Sequence, residues 1–304
     1  AGGPLVDLFG WRIVFLLQAG FSALALALAM VVLRETKPLR VRFDVAGSVA
    51  LACGVGGLMY ALGSVRSPAA FAAWIPHALV VGLVGFVAFI WIEQRVEAPL
   101  MPLGFFRSPN FSATLATNAF TSAAYMGAFV VAPILLLKLG HSVTVASYIV
   151  LIRTASLTIF SPLGGRFGEA YGERIASLTG CTGLTLGLFV SAWAAHAESL
   201  GLFVAGLVLQ GAGHGLSQPS ITAAIARSVP FHDLGIAGAA NRLMGQGGAA
   251  FGITLLALAY GGRDTPDAFA LAFAVGGLLS AISVATAIGI GIHPIDASGA
   301  EPSA

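Results

Sequence analysis

The chain has 304 residues, of which 57% are hydrophobic and only 9% charged, with 15 Lys and Arg against 13 Asp and Glu. Its mean hydropathy is +0.91. So few charges cannot clothe a soluble body of this size, so composition excludes an ordinary soluble domain and indicates a membrane protein; the net charge of +2 gives no reason to expect a nucleic-acid partner.

Crossing the hydrocarbon layer as a helix takes roughly 20 apolar residues, and nine runs of that kind follow one another along the chain. They are continuously apolar and lack the period-two alternation of barrel strands, so they predict an all-α polytopic bundle. The first, Ile13–Leu33, follows AGGPLVDLFGWR and contains Gln18. After the basic link RETKPLRVRFD come Val45–Val65 and Ala72–Ile92, whose polar side chains are little more than Ser48, Ser64 and His77. Helices so apolar offer almost no polar lining of their own. The link EQRVEAPLMPLGFFRSP then leads to Phe111–Leu137, where Asn118, Thr121, Ser122 and Tyr125 recur at helical spacing as a polar stripe.

The fifth run, Val143–Gly164, carries Arg153 about ten residues from its start, too deep to snorkel. A cation at that depth faces a cavity or a buried acceptor: a backbone carbonyl, a substrate group, an acid from elsewhere, or simply the anchor point of a neighbouring helix. A short charged stretch, LGGRFGEAYGERI, joins it to the sixth run, Ile175–Ala195, and reads as a tight turn in which Glu169 pairs with Arg166 or Arg174. In the seventh run, Leu200–Ala226, Gln210, His214 and Gln218 recur every four residues on one face. His214 serves there either as a proton carrier, its ordinary pKa being about 6.5, or as a helix-packing hydrogen bonder. Asn241, Arg242 and Gln246 mark the eighth run, Ile236–Tyr260, with Arg242 near enough to its end to snorkel. The ninth run is Ala268–Ile292. Pro133, Pro162 and Pro219 interrupt runs and permit bends. Cys53 and Cys181 both sit within apolar runs and read as small hydrophobes.

With helices alternating in direction, one side of the membrane receives Arg34, Lys37, Arg40, Arg42, Arg95, Arg107, Arg166, Arg174 and Arg227, and the other only Arg12, Arg66, Lys138 and Arg263. The basic side is cytoplasmic by the positive-inside rule, which sets the start outside and the tail from His293 inside, in the plasma (inner) membrane. An external start without Met and an odd number of helices lead us to expect further chain upstream.

Gly165, Glu169, Gly172 and Arg174, spaced by four, three and two, resemble the cytoplasmic loop signature of major facilitator superfamily transporters. In that family the loop occurs between the second and third helices of each six-helix half and latches one access state. Here Glu169 stands where Asp is commoner and Ala170 where a base is frequent, as in a weakened second-half copy. Three other stretches resemble the fourteen-helix drug:proton antiporter branch: AGGPLVDLFGWRIVF, GAGHGLSQPSITAAIARSVP and GIAGAANRLMGQGGAAFGI. The resemblance implies a major facilitator fold of which this chain holds the sixth to fourteenth helices. Residues 1–43 would be the last helix of the N-terminal bundle with its linker, 44–110 the inserted helix pair with a second linker, 111–293 the C-terminal six-helix bundle and 294–304 a cytoplasmic tail.

The function implied is secondary active transport, proton-coupled efflux of hydrophobic or amphipathic small molecules by alternating access. A channel, a structural membrane subunit or a carrier of another small solute remain as alternatives, separable by whether an intramembrane acid lies upstream. An enzyme is not expected, since the sequence contains no HExxH or GxSxG, no phosphate-cradling loop with Lys and no carboxylate at membrane depth. No cofactor or metal is implied; the expected partners are a small-molecule substrate, protons and the lipid bilayer. The substrate or cavity candidates are Asn118, Thr121, Ser122, Tyr125, Arg153, Gln210, His214, Gln218, Asn241 and Gln246. The gating-loop candidates are Gly165, Arg166, Glu169, Gly172 and Arg174.

Overall fold

The computed structural model describes residues 8–32, 44–64, 73–96, 103–263 and 265–291. Among these are nine helices long and apolar enough to cross a membrane, and no strand. They are α1 (Arg12–Val32), α2 (Val45–Ser64), α3 (Ile75–Glu93), α4 (Pro109–Lys138), α5 (Val143–Tyr171), α6 (Glu173–His196), α7 (Leu200–Ala226), α8 (Leu234–Tyr260) and α9 (Pro266–Ala287). The all-α membrane fold expected from the apolar runs is therefore the one observed. The basic link around Arg34 to Arg42, Arg66 and the tail from residue 292 lie outside the described residues.

Local chemistry starts several of these helices. Ser108 caps α4 by accepting from Phe111 N at 3.5 Å, Ser142 caps α5 through Val145 N at 3.3 Å, and Thr265 caps α9 through Ala268 N at 3.4 Å. Pro109 and Pro266 occupy first-turn positions, where the missing N–H costs nothing. Pro133, Pro162 and Pro219 all lie inside helices, as membrane helices allow when neighbouring groups re-satisfy the freed carbonyls.

One expectation changes here. The stretch read as a turn from Leu163 to Ile175 is helical to Tyr171, and the chain reverses at a single residue, Gly172, whose φ of +88° only glycine adopts freely.

Helices α4 to α9 form one packed body. α6 lies between α7 and α9, α4 between α8 and α9, and α5 rests on α7. Its centre is filled by Phe203, Phe269, Phe273, Leu184, Leu188 and Leu256, with Phe203 and Phe273 edge to face at 5.6 Å. Without a hydrophobic drive between helices in lipid, close backbone approach has to supply the attraction. A methyl group at Gly180 of α6 would stand 2.6 Å from the Gly213 carbonyl of α7, and one at Gly252 of α8 would run into the Ala123 carbonyl of α4. α2 and α3 form a separate hairpin that touches the body through α8, and α1 has no buried residue. Its Phe15, Phe21 and Leu24 are exposed.

Candidate functional site

The polar residues of α4, α5, α7 and α8 meet in two clusters along the seam between α4 and α7. Asn118 is the centre of the first. Its Nδ2 donates to the Asn241 carbonyl at 2.8 Å and to Asn241 Oδ1 at 2.6 Å, while its Oδ1 accepts from Gln218 Nε2 at 3.3 Å and Ser122 Oγ at 3.4 Å. One amide thus ties three helices with four hydrogen bonds. Gly245 of α8 leaves the room for it, since a Cβ there would come within 3.0 Å of Asn118 Nδ2.

Tyr125 and His214 lie seven residues along α4 and four back along α7, on the same two faces, and organise the second cluster. The Arg153 guanidinium sits 3.5 Å over the Tyr125 ring and 5.5 Å from that of Phe129, and the His214 imidazole stacks on Tyr125 at 3.9 Å with 7° between planes. Two groups so close to one ring cannot share a face, so Tyr125 is held between them. Arg153 Nη2 also donates to the Tyr125 carbonyl. Arg153 is fully buried and meets no carboxylate among the described residues, leaving its Nε and Nη1 without hydrogen-bond partners. Of the acceptors considered from sequence, the backbone carbonyl is the one found. The aromatic face holding the charge could not be foreseen, because Tyr125 is 28 residues away in the chain.

Other candidates are not brought together. Gln210 is buried, but its Nε2 donates to Ser191 Oγ at 2.8 Å, so it joins α7 to α6 rather than to Arg153. Thr121 turns to Cys181, with 3.5 Å between Oγ1 and Sγ. Gln246 and Arg242 are exposed on α8.

In the gating stretch, Gly165, Arg166 and Glu169 belong to the last turns of α5 and Arg174 to the first turn of α6. Glu169, Arg166 and Arg174 are exposed. The expected Glu169 pair with Arg166 or Arg174 is not formed; the ion pair here joins Glu173 to Arg227 at 2.6 Å, linking α6 to the end of α7. The physical reason is the helical continuation to Tyr171, which carries Glu169 outward and leaves Glu173 beside α7. Sequence reading also passed over Asn110, which donates to Ser228 Oγ at 2.8 Å and accepts from Gly291 N at 2.7 Å, gathering three chain segments at that end of the bundle. Its partners are 118 and 181 residues distant, and no local signal marks them.

Comparison with known proteins bears on this arrangement. The family model described as Major Facilitator Superfamily matches residues 113–302. Multidrug resistance protein Stp of Mycobacterium tuberculosis is 32% identical over 242 residues, covering 78% of this chain and 44% of that protein. Multidrug transporter protein MdtP of Bacillus subtilis is 26% identical over 268 residues, with 86% and 49% covered. Probable multidrug resistance protein EmrY of Escherichia coli is 29% identical over 178 residues, with 57% and 35% covered. The chain spans about half the length of the curated relatives it matches.

Proposed function

The chain belongs to the Major Facilitator Superfamily, and from that premise we propose that it works in a secondary transporter exporting hydrophobic or amphipathic small molecules, coupled to protons, by alternating access. In this reading residues 111–293 supply one six-helix bundle, residues 1–43 the last helix of the other, and 44–110 an inserted pair. The multidrug names of the relatives support the substrate class.

The observation that carries the reading is the Arg153, Tyr125 and His214 stack. A full charge deep in a membrane bundle is expensive, and intramembrane ionisable groups ordinarily serve ions or substrates. Both faces of Tyr125 are covered by Arg153 and His214 in this state, so a flat apolar molecule would meet that ring only in a state where the stack opens, and the amides of Asn118, Gln218 and Asn241 beside it offer hydrogen bonds that a drug can borrow in one state and return in the other. Pro133, Pro162 and Pro219 lie in α4, α5 and α7, three of the four helices that bear these clusters, where they would permit the bending that alternating access needs.

The test is dye accumulation in everted vesicles containing the transporter that carries this chain. Accumulation driven by an imposed proton gradient, abolished by an uncoupler and lowered in Tyr125→Ala, is the expected result. Movement that ignores the gradient and the Tyr125 substitution alike would replace this reading with a channel or another carrier.

A further inference from the structure

A cavity of about 620 Å³ lies between the α2–α3 hairpin and the wall made by α4 and α8. Leu51, Val55, Phe86, Phe120, Gly247 and Phe251 are among the residues around it, and no lining side chain carries a nitrogen or an oxygen. It is distinct from the polar clusters: Ala119, which lines it, is the residue after Asn118, and successive helical residues point about 100° apart.

Water has nothing to bond in such a space, and an empty one would forfeit the dispersion contacts of every lining group. At this depth the surrounding solvent is hydrocarbon. The lining includes Ile90, near the end of α3, and Leu103 and Phe106 of the short helix Leu103–Arg107. Two exposed cations follow them closely in the chain, Arg95 and Arg107. The Arg95 guanidinium lies 3.8 Å over the ring of Trp91, itself largely exposed, an arrangement suited to the headgroup level, where Trp and Arg gather. An apolar space and two exposed cations, each shortly after residues that line it, are complementary to one kind of molecule.

We propose that this cavity is a binding site for an anionic phospholipid, one acyl chain filling the space and the phosphate lying against Arg95 and Arg107. The hairpin is then held to the bundle through a lipid as well as through its own contacts with α8. This inference stands apart from the transport reading.

The structure supplies a clean substitution. A Cβ at Gly247 meets nothing within 4 Å, so the side chain of Gly247→Phe can leave α8 without a clash at its base and extend from a residue that lines the cavity. Met59→Trp fills the same space from α2. The transporter carrying this chain would be purified in mild detergent, delipidated, and titrated with phosphatidylglycerol and with phosphatidylcholine of identical chains, bound lipid being counted by native mass spectrometry. The expected result is one retained phosphatidylglycerol with a clear preference over phosphatidylcholine. Arg95→Gln with Arg107→Gln should weaken it roughly thirtyfold and erase the preference. Gly247→Phe and Met59→Trp should each remove it while circular dichroism stays unchanged. Equal retention of the two lipids by the unmodified protein, or undiminished retention in whichever filled variants fold, would overturn the proposal. So would crosslinking of a cysteine at Met59 to a second copy or to another transmembrane segment of the same protein, either of which would make the cavity a helix-packing interface instead.

Discussion

Arg153 is the residue on which most turns. Taking a guanidinium out of water costs several kcal/mol even after relaxation. The charge-assisted bond to the Tyr125 carbonyl returns roughly 1.5–3 kcal/mol and the contact with its ring about 2 kcal/mol when desolvated, so the site is near balance rather than strongly stabilising. Replacing a buried charge by an apolar side chain of similar volume is commonly neutral or favourable. Arg153→Met is therefore expected to leave the melting temperature unchanged or raised while lowering transport by about tenfold or more. Melting and dye transport measured on the same preparation check this. A variant that unfolds early yet transports normally per folded molecule would make Arg153 an anchor between α4 and α5.

At the scale of elements, helix contact rests on particular glycines, and the two kinds of position on α8 make opposite predictions. Gly252 faces the Ala123 carbonyl of α4, so Gly252→Ala must push two backbones apart at about 1–3 kcal/mol, more than the gain in helix propensity of roughly 1 kcal/mol. Gly247 faces open space, so Gly247→Ala keeps only the propensity gain and should stabilise. Denaturant unfolding of the two variants in detergent decides it, opposite signs being expected.

The junction of α5 and α6 carries a third prediction. Glu169 is exposed and unpaired among the described residues, whereas Glu173 holds Arg227. If Glu169 meets its partner only in another access state, Glu169→Gln shifts populations and slows transport more than it weakens substrate binding. An exposed pair is worth at most about 1 kcal/mol, so the expected slowing is about fivefold. Affinity and rate measured separately on purified protein test it, and weakened affinity at unchanged rate would contradict the latch.

For the whole molecule, we propose an orientation from the distribution of Lys and Arg. The nine basic residues of one side include Lys37, and on the positive-inside rule that link would lie in the cytoplasm. Lys37→Cys is expected to stay unlabelled by a membrane-impermeant thiol reagent applied to intact cells and to react after permeabilisation. The opposite result would invert the topology and move the α5–α6 junction to the outer face.

The number of membrane helices, their approximate limits and the all-α class were readable from sequence, because crossing hydrocarbon requires long apolar runs and lipid penalises any other pattern. The candidate polar residues were readable for the same reason: an amide or a guanidinium in such a run is conspicuous. Their partners were not. Whether Gln210 turns to Ser191 or to Arg153, and whether Glu169 or Glu173 finds a base, depends on which helices cross and at what rotation. Periodicity assigns a residue to a face of its own helix, but only packing assigns that face a neighbour. Tertiary structure therefore decided that Tyr125 stands between Arg153 and His214, that Asn118 joins three helices, and that an apolar cavity opens beside α8.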